Sequence, residues 1–268
     1  MELPNLTEKE FKLFQKLIYD TAGISMSEAK KALISNRLAK RIRFFQLNSY
    51  LEYYNLIHGD SHPEEKQILI DLLTTNETYF FREQIHFDFL KNEILKDTKP
   101  RKMFRVWSAA SSSGEEAYSI AMILAEKLGT SPWEIIGSDI STRILEKARR
   151  GVYLIDKSTG IPQNYLKQYC LKGVKSQEGM LKISNALKKN VHFYQINLNE
   201  PHPDLGKFDV IFLRNVMIYF DTETRKKIIS NIMQSMEKDG FLFIGHSETL
   251  FGITDQLKSV KPTIYKRI

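Results

Sequence analysis

The chain has 268 residues, 42% of them apolar and 26% charged, and a formal net charge of +7. That balance excludes a disordered or fibrous chain and suits one large domain or two unequal ones. No stretch approaches the roughly 18 apolar residues of a membrane helix, the opening MELPNLTEKE lacks a signal-peptide pattern, and the single Cys170 allows neither an internal disulfide nor a cysteine metal cluster; a cytosolic monomer without a metal is expected.

Residues 5–75 read as helical. FKLFQKLIYDTAG, the basic segment KKALISNRLAKRIR, SYLEYYNLIHG and EEKQILIDLL follow one another, with Gly23 and Gly59 where helices would stop. Residues 1–82 hold eleven Lys/Arg and eleven Asp/Glu, yet six of those bases fall between Lys30 and Arg43 with no acid among them. Ile34, Leu38, Ile42 and Phe45 form an amphipathic stripe there, leaving Arg37, Lys40 and Arg41 on another face. Such a face is either a solvated helix surface or a docking site for something acidic, nucleic acid or protein.

LTTNETYFFRE follows, Leu73 to Glu83. Its Thr74, Thr75, Asn76 and Thr78 would each need a partner if buried, and a plain linker has no use for Tyr79, Phe80 and Phe81 in a row. From about residue 100 the pattern changes. MFRVWSA, WEIIGSD, VHFYQIN, FDVIFLR and GFLFIG read as strands; EEAYSIAMILAEKLG, STRILEKARRG and TRKKIISNIMQSMEK read as helices. The alternation predicts an α/β domain with a parallel sheet between helices. Residues from about 152 to 190 break the rhythm with turns at Gly160-Ile161-Pro162, Gly173 and Gly179 and a strand-like MLKIS, and they read as a small inserted β-subdomain.

In an open α/β sheet, ligands bind beyond the carboxyl ends of the strands. After the first strand come Ser108 to Ala117, SAASSSGEEA, whose small residues let a backbone approach a ligand closely and whose Gly114 permits a tight turn. The segment is not GxGxxG, and Glu115 and Glu116 at the helix start would repel phosphates. The second strand ends at Asp139, placed to accept hydrogen bonds from ribose hydroxyls or to cap the next helix. A small-residue turn, a ribose-binding acid and no phosphate cradle together suggest S-adenosylmethionine. Asn197-Leu198 and Arg214-Asn215 follow later strands; Asn215 is placed to bond the cofactor's polar groups, and Tyr219 to reach the reacting centre.

TTNETYFFRE, WSAASSSGEEAYSIAM, SDIS, NLN, RNVMIYFD and GHSETL occur in order, and the chain from about residue 5 to its end resembles the CheR family of chemotaxis receptor methyltransferases. The resemblance implies an all-α N-terminal domain, residues 1–75, and a segment 76–98 that covers the cofactor. It implies a Rossmann-like S-adenosylmethionine-dependent methyltransferase domain, residues 99–268, that carries the insertion. By the same resemblance, Asn76, Thr78 and Arg82 would contact the cofactor from the covering segment. Glu116 and Asp139 would hold its amino-acid and ribose portions, and Asn197, Leu198, Arg214 and Asn215 would complete the pocket. Arg82 and Tyr219 would act at the methyl-transfer centre, with Tyr79, Phe80 and Phe81 anchoring the linker or covering adenosine. Ala110, Ser111 and Ala117 stand where relatives often carry cysteine, glycine or proline; small replaces small, so the pocket stands.

The implied acceptor is a glutamate on the cytoplasmic helical bundle of a chemoreceptor, which brings the enzyme to membrane-bound receptor arrays. A glutamate of pKa about 4.3 is already a nucleophile at neutral pH, which fits a chain with no evident catalytic His–acid pair; His246 reads as structural. The basic helix 30–43 then docks on the receptor's acidic helices, with Arg37 and Arg41 as contact residues. Loop 173–179 resembles the loop of family members that bind a peptide at the receptor's C-terminus. Two rivals are a nucleic-acid methyltransferase and a non-enzymatic S-adenosylmethionine-binding module. Asn215-Val-Met-Ile-Tyr219 lacks the paired prolines of the amino-methylating DNA enzymes, so no nucleic-acid partner is expected.

Overall fold

The computed structural model describes residues 4–96 and 103–268. Helix α1 (Glu8–Ala22) opens with a capping box. The Thr7 hydroxyl accepts from the Glu10 amide while the Glu10 carboxylate accepts from the Thr7 amide, and Gly23 closes the helix at φ 70°. After it come α2 (Lys31–Phe44), α3 (Tyr50–His58) and α4 (Glu65–Leu73). Phe11, Phe14, Ile18, Ile34, Leu38, Ile42, Tyr50 and Tyr53 fill one core among these four helices.

Two of the basic residues assigned to docking are engaged inside this bundle. Arg37 donates to the carbonyls of Leu73 (2.8 Å) and Thr74 (3.0 Å), satisfying acceptors that the end of α4 leaves open. Arg41 donates from Nε to Glu65 at 3.0 Å, and the buried Glu65 also accepts from the Tyr53 hydroxyl at 2.9 Å. A buried carboxylate needs such partners, so this face of α2 turns inward. Lys30, Lys40 and Arg43 stay exposed.

Helix α5 (Gln84–Phe89) runs into a π-turn at Leu90–Ile94. The second unit then lays down β1 (Phe104–Ser108), α6 (Glu115–Leu128), β2 (Trp133–Asp139) and α7 (Thr142–Arg150). The insertion supplies β3 (Val152–Leu154), α8 (Gln163–Tyr169), β4 (Cys170–Lys172), β5 (Met180–Ile183) and α9 (Asn185–Lys188). The chain returns with β6 (Val191–Gln195), β7 (Phe208–Leu213), α10 (Thr222–Gln234), β8 (Met236–Ile244), β9 (Leu257–Lys261) and β10 (Ile264–Arg267). The boundary placed between residues 98 and 99 lies outside the described residues.

The large sheet has the order β6-β2-β1-β7-β8-β10-β9, and β3-β5-β4 form a separate antiparallel sheet in the insertion. β10 runs antiparallel to both its neighbours, so the main sheet is mixed rather than wholly parallel. Val106, Trp107, Val210 and Ile211 are fully buried because helices cover both faces. Two expectations fail in detail. The helix expected through Lys238 stops at Gln234, because Met236 pairs with Phe208 and starts β8. The β9–β10 hairpin and α8 have no counterpart among the elements expected from the sequence.

Candidate active site

The carboxyl ends of β1, β2, β6 and β7 open into one cavity, which holds about 1250 Å³ of empty space with its open mouth included. The turn after β1 presents Ala109, Ala110 and Ser112, and it is made tight by left-handed Ser112 (φ 48°) and Gly114 (φ 94°). Asp139, at the tip of β2, is buried and accepts from the Ser112 and Ser141 amides, both at 3.0 Å. Burial pushes its carboxyl up to about 6, against the opposite pull of the Ser141, Ser112 and Ile140 amides. Ionised, it keeps lone pairs free for further donors inside the cavity. Ile140, Ile196, Leu198 and Phe220 supply apolar wall, and Ile24, Met26 and Leu33 of the helical unit close the opposite side.

The stretch after α4 forms one edge of this cavity. The Asn76 carbonyl accepts from the Ser112 hydroxyl at 3.0 Å, which fixes the stretch against the first turn. Arg82 donates to the Glu77 carbonyl at 3.0 Å and lies 5.7 Å from the Tyr79 ring centre. Phe80 packs edge-on against Tyr153 at 4.9 Å, and Phe81 lies tilted against Phe87 at 5.1 Å. Both are buried anchors; of the three aromatics, Tyr79 alone lines the cavity.

A charged hub forms part of the cavity wall. Arg214 pairs with Glu83 and Glu116, each at 3.0 Å, and its side chain is 1% exposed. Ser108 donates to the other Glu116 oxygen at 2.7 Å. Burial pushes the Glu116 carboxyl up and Arg214 pulls it down, with burial prevailing. At Glu83 burial also pushes upward, but the bonds from Asn215, Arg214 and the His246 amide hold its carboxyl below the ordinary range. Asn215 adopts φ 57° and donates its side-chain amide to Glu83 at 3.0 Å. His86 and His246 stand beside Glu83, with ligand-type atoms of all three within 4.8 Å of one another. The Arg214 guanidinium already lies on that carboxylate. Burial and Arg214 push His86 down to about 3, so its ring is neutral.

All ten residues singled out from the sequence line this one cavity: Asn76, Thr78, Arg82, Glu116, Asp139, Asn197, Leu198, Arg214, Asn215 and Tyr219. They are not equally free. The two Nη atoms of Arg214 are engaged with Glu83, Glu116 and the Arg82 carbonyl, while its buried Nε has no hydrogen bond among the described residues. The Asn197 side chain donates to the Thr21 carbonyl (2.6 Å) and to Glu200 (3.0 Å). Tyr219 is half-buried; its carbonyl accepts from the Ser25 amide at 2.8 Å, while its hydroxyl has no hydrogen bond among the described residues. Lys30 also lines the mouth, and within the basic helix nothing in the sequence sets it apart. Glu83 is a second residue that sequence reasoning misses, although it adjoins Arg82. A nucleoside carrying an amino-acid tail fits this donor set. Asp139 offers a buried carboxylate to the cavity, and the small-residue turn beside it leaves the backbone open to close approach.

The chain matches the family model described as CheR methyltransferase, SAM binding domain, over residues 76–266, and the one described as CheR methyltransferase, all-alpha domain, over residues 9–74. It is 39% identical to the chemotaxis protein methyltransferase of Escherichia coli, covering 97% of this chain and 91% of that one. Identity is also 39% to the chemotaxis protein methyltransferase of Borreliella burgdorferi, over 98% of this chain and 95% of the relative. Chemotaxis protein methyltransferase 2 of Pseudomonas aeruginosa is 38% identical, over 97% and 93%.

Proposed function

The chain belongs to the CheR methyltransferase family, and from that premise we propose that it moves the methyl group of S-adenosylmethionine onto glutamate side chains of bacterial chemoreceptors, forming methyl esters. The observation that carries this reading is a buried acceptor, Asp139, opening into the same cavity as Arg82 and a Tyr219 hydroxyl that has no hydrogen bond among the described residues. Part of the same reading is the division of the chain into a helical unit to residue 75, a covering segment 76–98 and a methyltransferase domain 99–268 with its insertion at 152–190.

S-adenosylmethionine supplies an electrophilic sulfonium methyl and leaves as S-adenosylhomocysteine. Asp139 holds the ribose, and Asn76, Thr78 and the backbone at Asn197-Leu198 hold its other polar groups. Glu116, Arg214 and Asn215 bound the amino-acid end. The acceptor carboxylate needs no base, because at an ordinary pKa of about 4.3 it arrives ionised. What remains for the protein is alignment of the attacking oxygen. Tyr219 orients that oxygen by a neutral hydrogen bond, and Arg82 attracts it without the tight ion pair that would stabilise the ground state. No described helix is long and apolar enough to cross a membrane. In this reading the enzyme reaches the receptor's cytoplasmic bundle by docking, acting as a monomer recruited to receptor arrays and taking no nucleic acid. Lys40 and Arg43 carry the docking face of α2. The loop from Gly173 to Gly179, which projects between β4 and β5, takes the receptor's C-terminal peptide and raises the local concentration.

The test is transfer of labelled methyl from S-adenosylmethionine to membranes containing chemoreceptors, followed by mild alkali. Label released as methanol supports carboxyl methyl esters. Base-stable label, or none, overturns the reading.

A further inference from the structure

Strand β8 ends at Ile244, and the turn Gly245-His246-Ser247 brings Glu248 back beneath the segment that follows β7. The Glu248 side chain is buried, and no ion pair to it occurs among the described residues. Backbone amides satisfy it instead. One oxygen accepts from Gly245 (2.6 Å) and Asn215 (3.0 Å), and the other from Met217 (2.7 Å). Gly245 has no room for a side chain, since a Cβ there would lie 2.5 Å from the Asn215 side-chain nitrogen and 2.8 Å from its backbone nitrogen. The two loops therefore touch backbone to backbone, with this carboxylate as the bridge.

The span that Glu248 grips runs from Asn215, in the left-handed conformation at φ 57°, to the 3-10 turn Met217–Tyr219. At its ends stand Asn215 and Tyr219, both of which line the cavity, whereas Glu248 does not. A carboxylate is suited to this place because both of its oxygens only accept. Resting on the methyl-transfer reading above, we propose that Glu248 is a positioning residue, whose carboxylate fixes Asn215 and Tyr219 in the pocket and so acts on methyl transfer without touching either reactant.

Glu248→Gln keeps the size and removes one acceptor, so an NH2 group faces at least one backbone N–H and the Met217–Tyr219 turn shifts. A misplacement of about 1 Å costs on the order of 100-fold in rate. The expected result is a kcat, counted per S-adenosylhomocysteine-binding site by calorimetry, that falls about 10- to 100-fold. Glu248→Asp, which keeps both acceptors on a shorter arm, should recover part of that loss. A purely structural role would lower the melting temperature and the number of binding sites while leaving kcat per site within twofold of wild type, and that result overturns the proposal. Hydrogen exchange at the Asn215 and Met217 amides supplies a readout free of turnover. Faster exchange in Glu248→Gln than in wild type is expected, and equal exchange overturns the positioning claim even where wild type methylates no receptor. Absence of wild-type transfer to receptors sinks the methyl-transfer reading instead.

Discussion

The substitution Asp139→Asn separates what this carboxylate costs the fold from what it gives the cofactor. The carboxyl stands at about 6 against an ordinary 3.8. Holding it ionised at pH 8 therefore costs the ligand-free protein about 3 kcal/mol, at about 1.36 kcal/mol per pH unit. A neutral amide in its place would remove that cost, together with one of the two acceptor oxygens. Either the Ser112 or the Ser141 amide, both now at 3.0 Å, would then face an NH2 group, a loss of about 1–3 kcal/mol. The two effects offset, so the melting temperature should move by about 4 °C or less. A hydrogen bond from a ribose hydroxyl to a charged acceptor contributes about 1.5–3 kcal/mol, so the Kd for S-adenosylhomocysteine should rise about 10- to 150-fold. Calorimetric titration at pH 8 and a thermal melt together read both terms. A Kd within twofold of wild type would refute the reasoning, as would weakened binding that merely tracks a collapse of the fold.

The same carboxyl sets a pH dependence with opposite signs in two assays. Because its folded pKa lies above the unfolded one, its share of ligand-free stability is fully present below the ordinary 3.8 and is lost as pH rises through about 6. Affinity for S-adenosylhomocysteine, which needs the ionised acceptor, should instead fall as pH drops through about 6; titrations that show no such fall contradict its role at the ribose. Arg41→Glu leaves Glu65, whose side chain is 1% exposed, without its cation, and should cost about 3–5 kcal/mol in a denaturant melt. The double reversal of the exposed Lys40 and Arg43 to Glu should change stability by about 0.5 kcal/mol or less per site while raising the KM for receptor; an unchanged KM places docking elsewhere. Tyr219→Phe removes one neutral hydrogen bond, so kcat should fall about 3- to 10-fold with cofactor affinity intact, and unchanged turnover removes Tyr219 from the transfer step.

Much of the architecture was legible because burial on both faces writes itself into composition. VWS, IIGSD and VIFL are near-continuous apolar runs, and they form β1, β2 and β7 at the centre of the sheet. Ser141 was readable as a helix start, and its side chain accepts from the Ile144 amide as a cap should. The edge was not legible. Most of β9 is exposed, and its KSVK lacks the apolar face that marks a strand. The end of α10 is misread because IISNIMQSMEK keeps a helical period, while Met236 satisfies that pattern and a pairing with Phe208 equally well. In the site, residue types at strand ends located the cavity, since the topology brings those ends together. What the sequence could not show is which polar side chains are already engaged. Arg37 caps carbonyls at the end of α4, Arg41 neutralises Glu65, Arg214 serves two glutamates, and Asn197 ties Thr21 to the sheet. Each of these pairs joins residues at least 24 positions apart, beyond the reach of any local pattern. Glu83 and Glu248 escape notice for the same reason, because a glutamate followed by ordinary polar neighbours reads as surface until its long-range partners are known.

The most direct test of the central claim is a crystal structure of the protein with S-adenosylhomocysteine. The ribose hydroxyls are predicted to lie within hydrogen-bond distance of Asp139, with the sulfur facing the side of the cavity where Arg82 and Tyr219 stand. A ligand bound outside this cavity, or one whose ribose leaves Asp139 without a contact, would contradict the account.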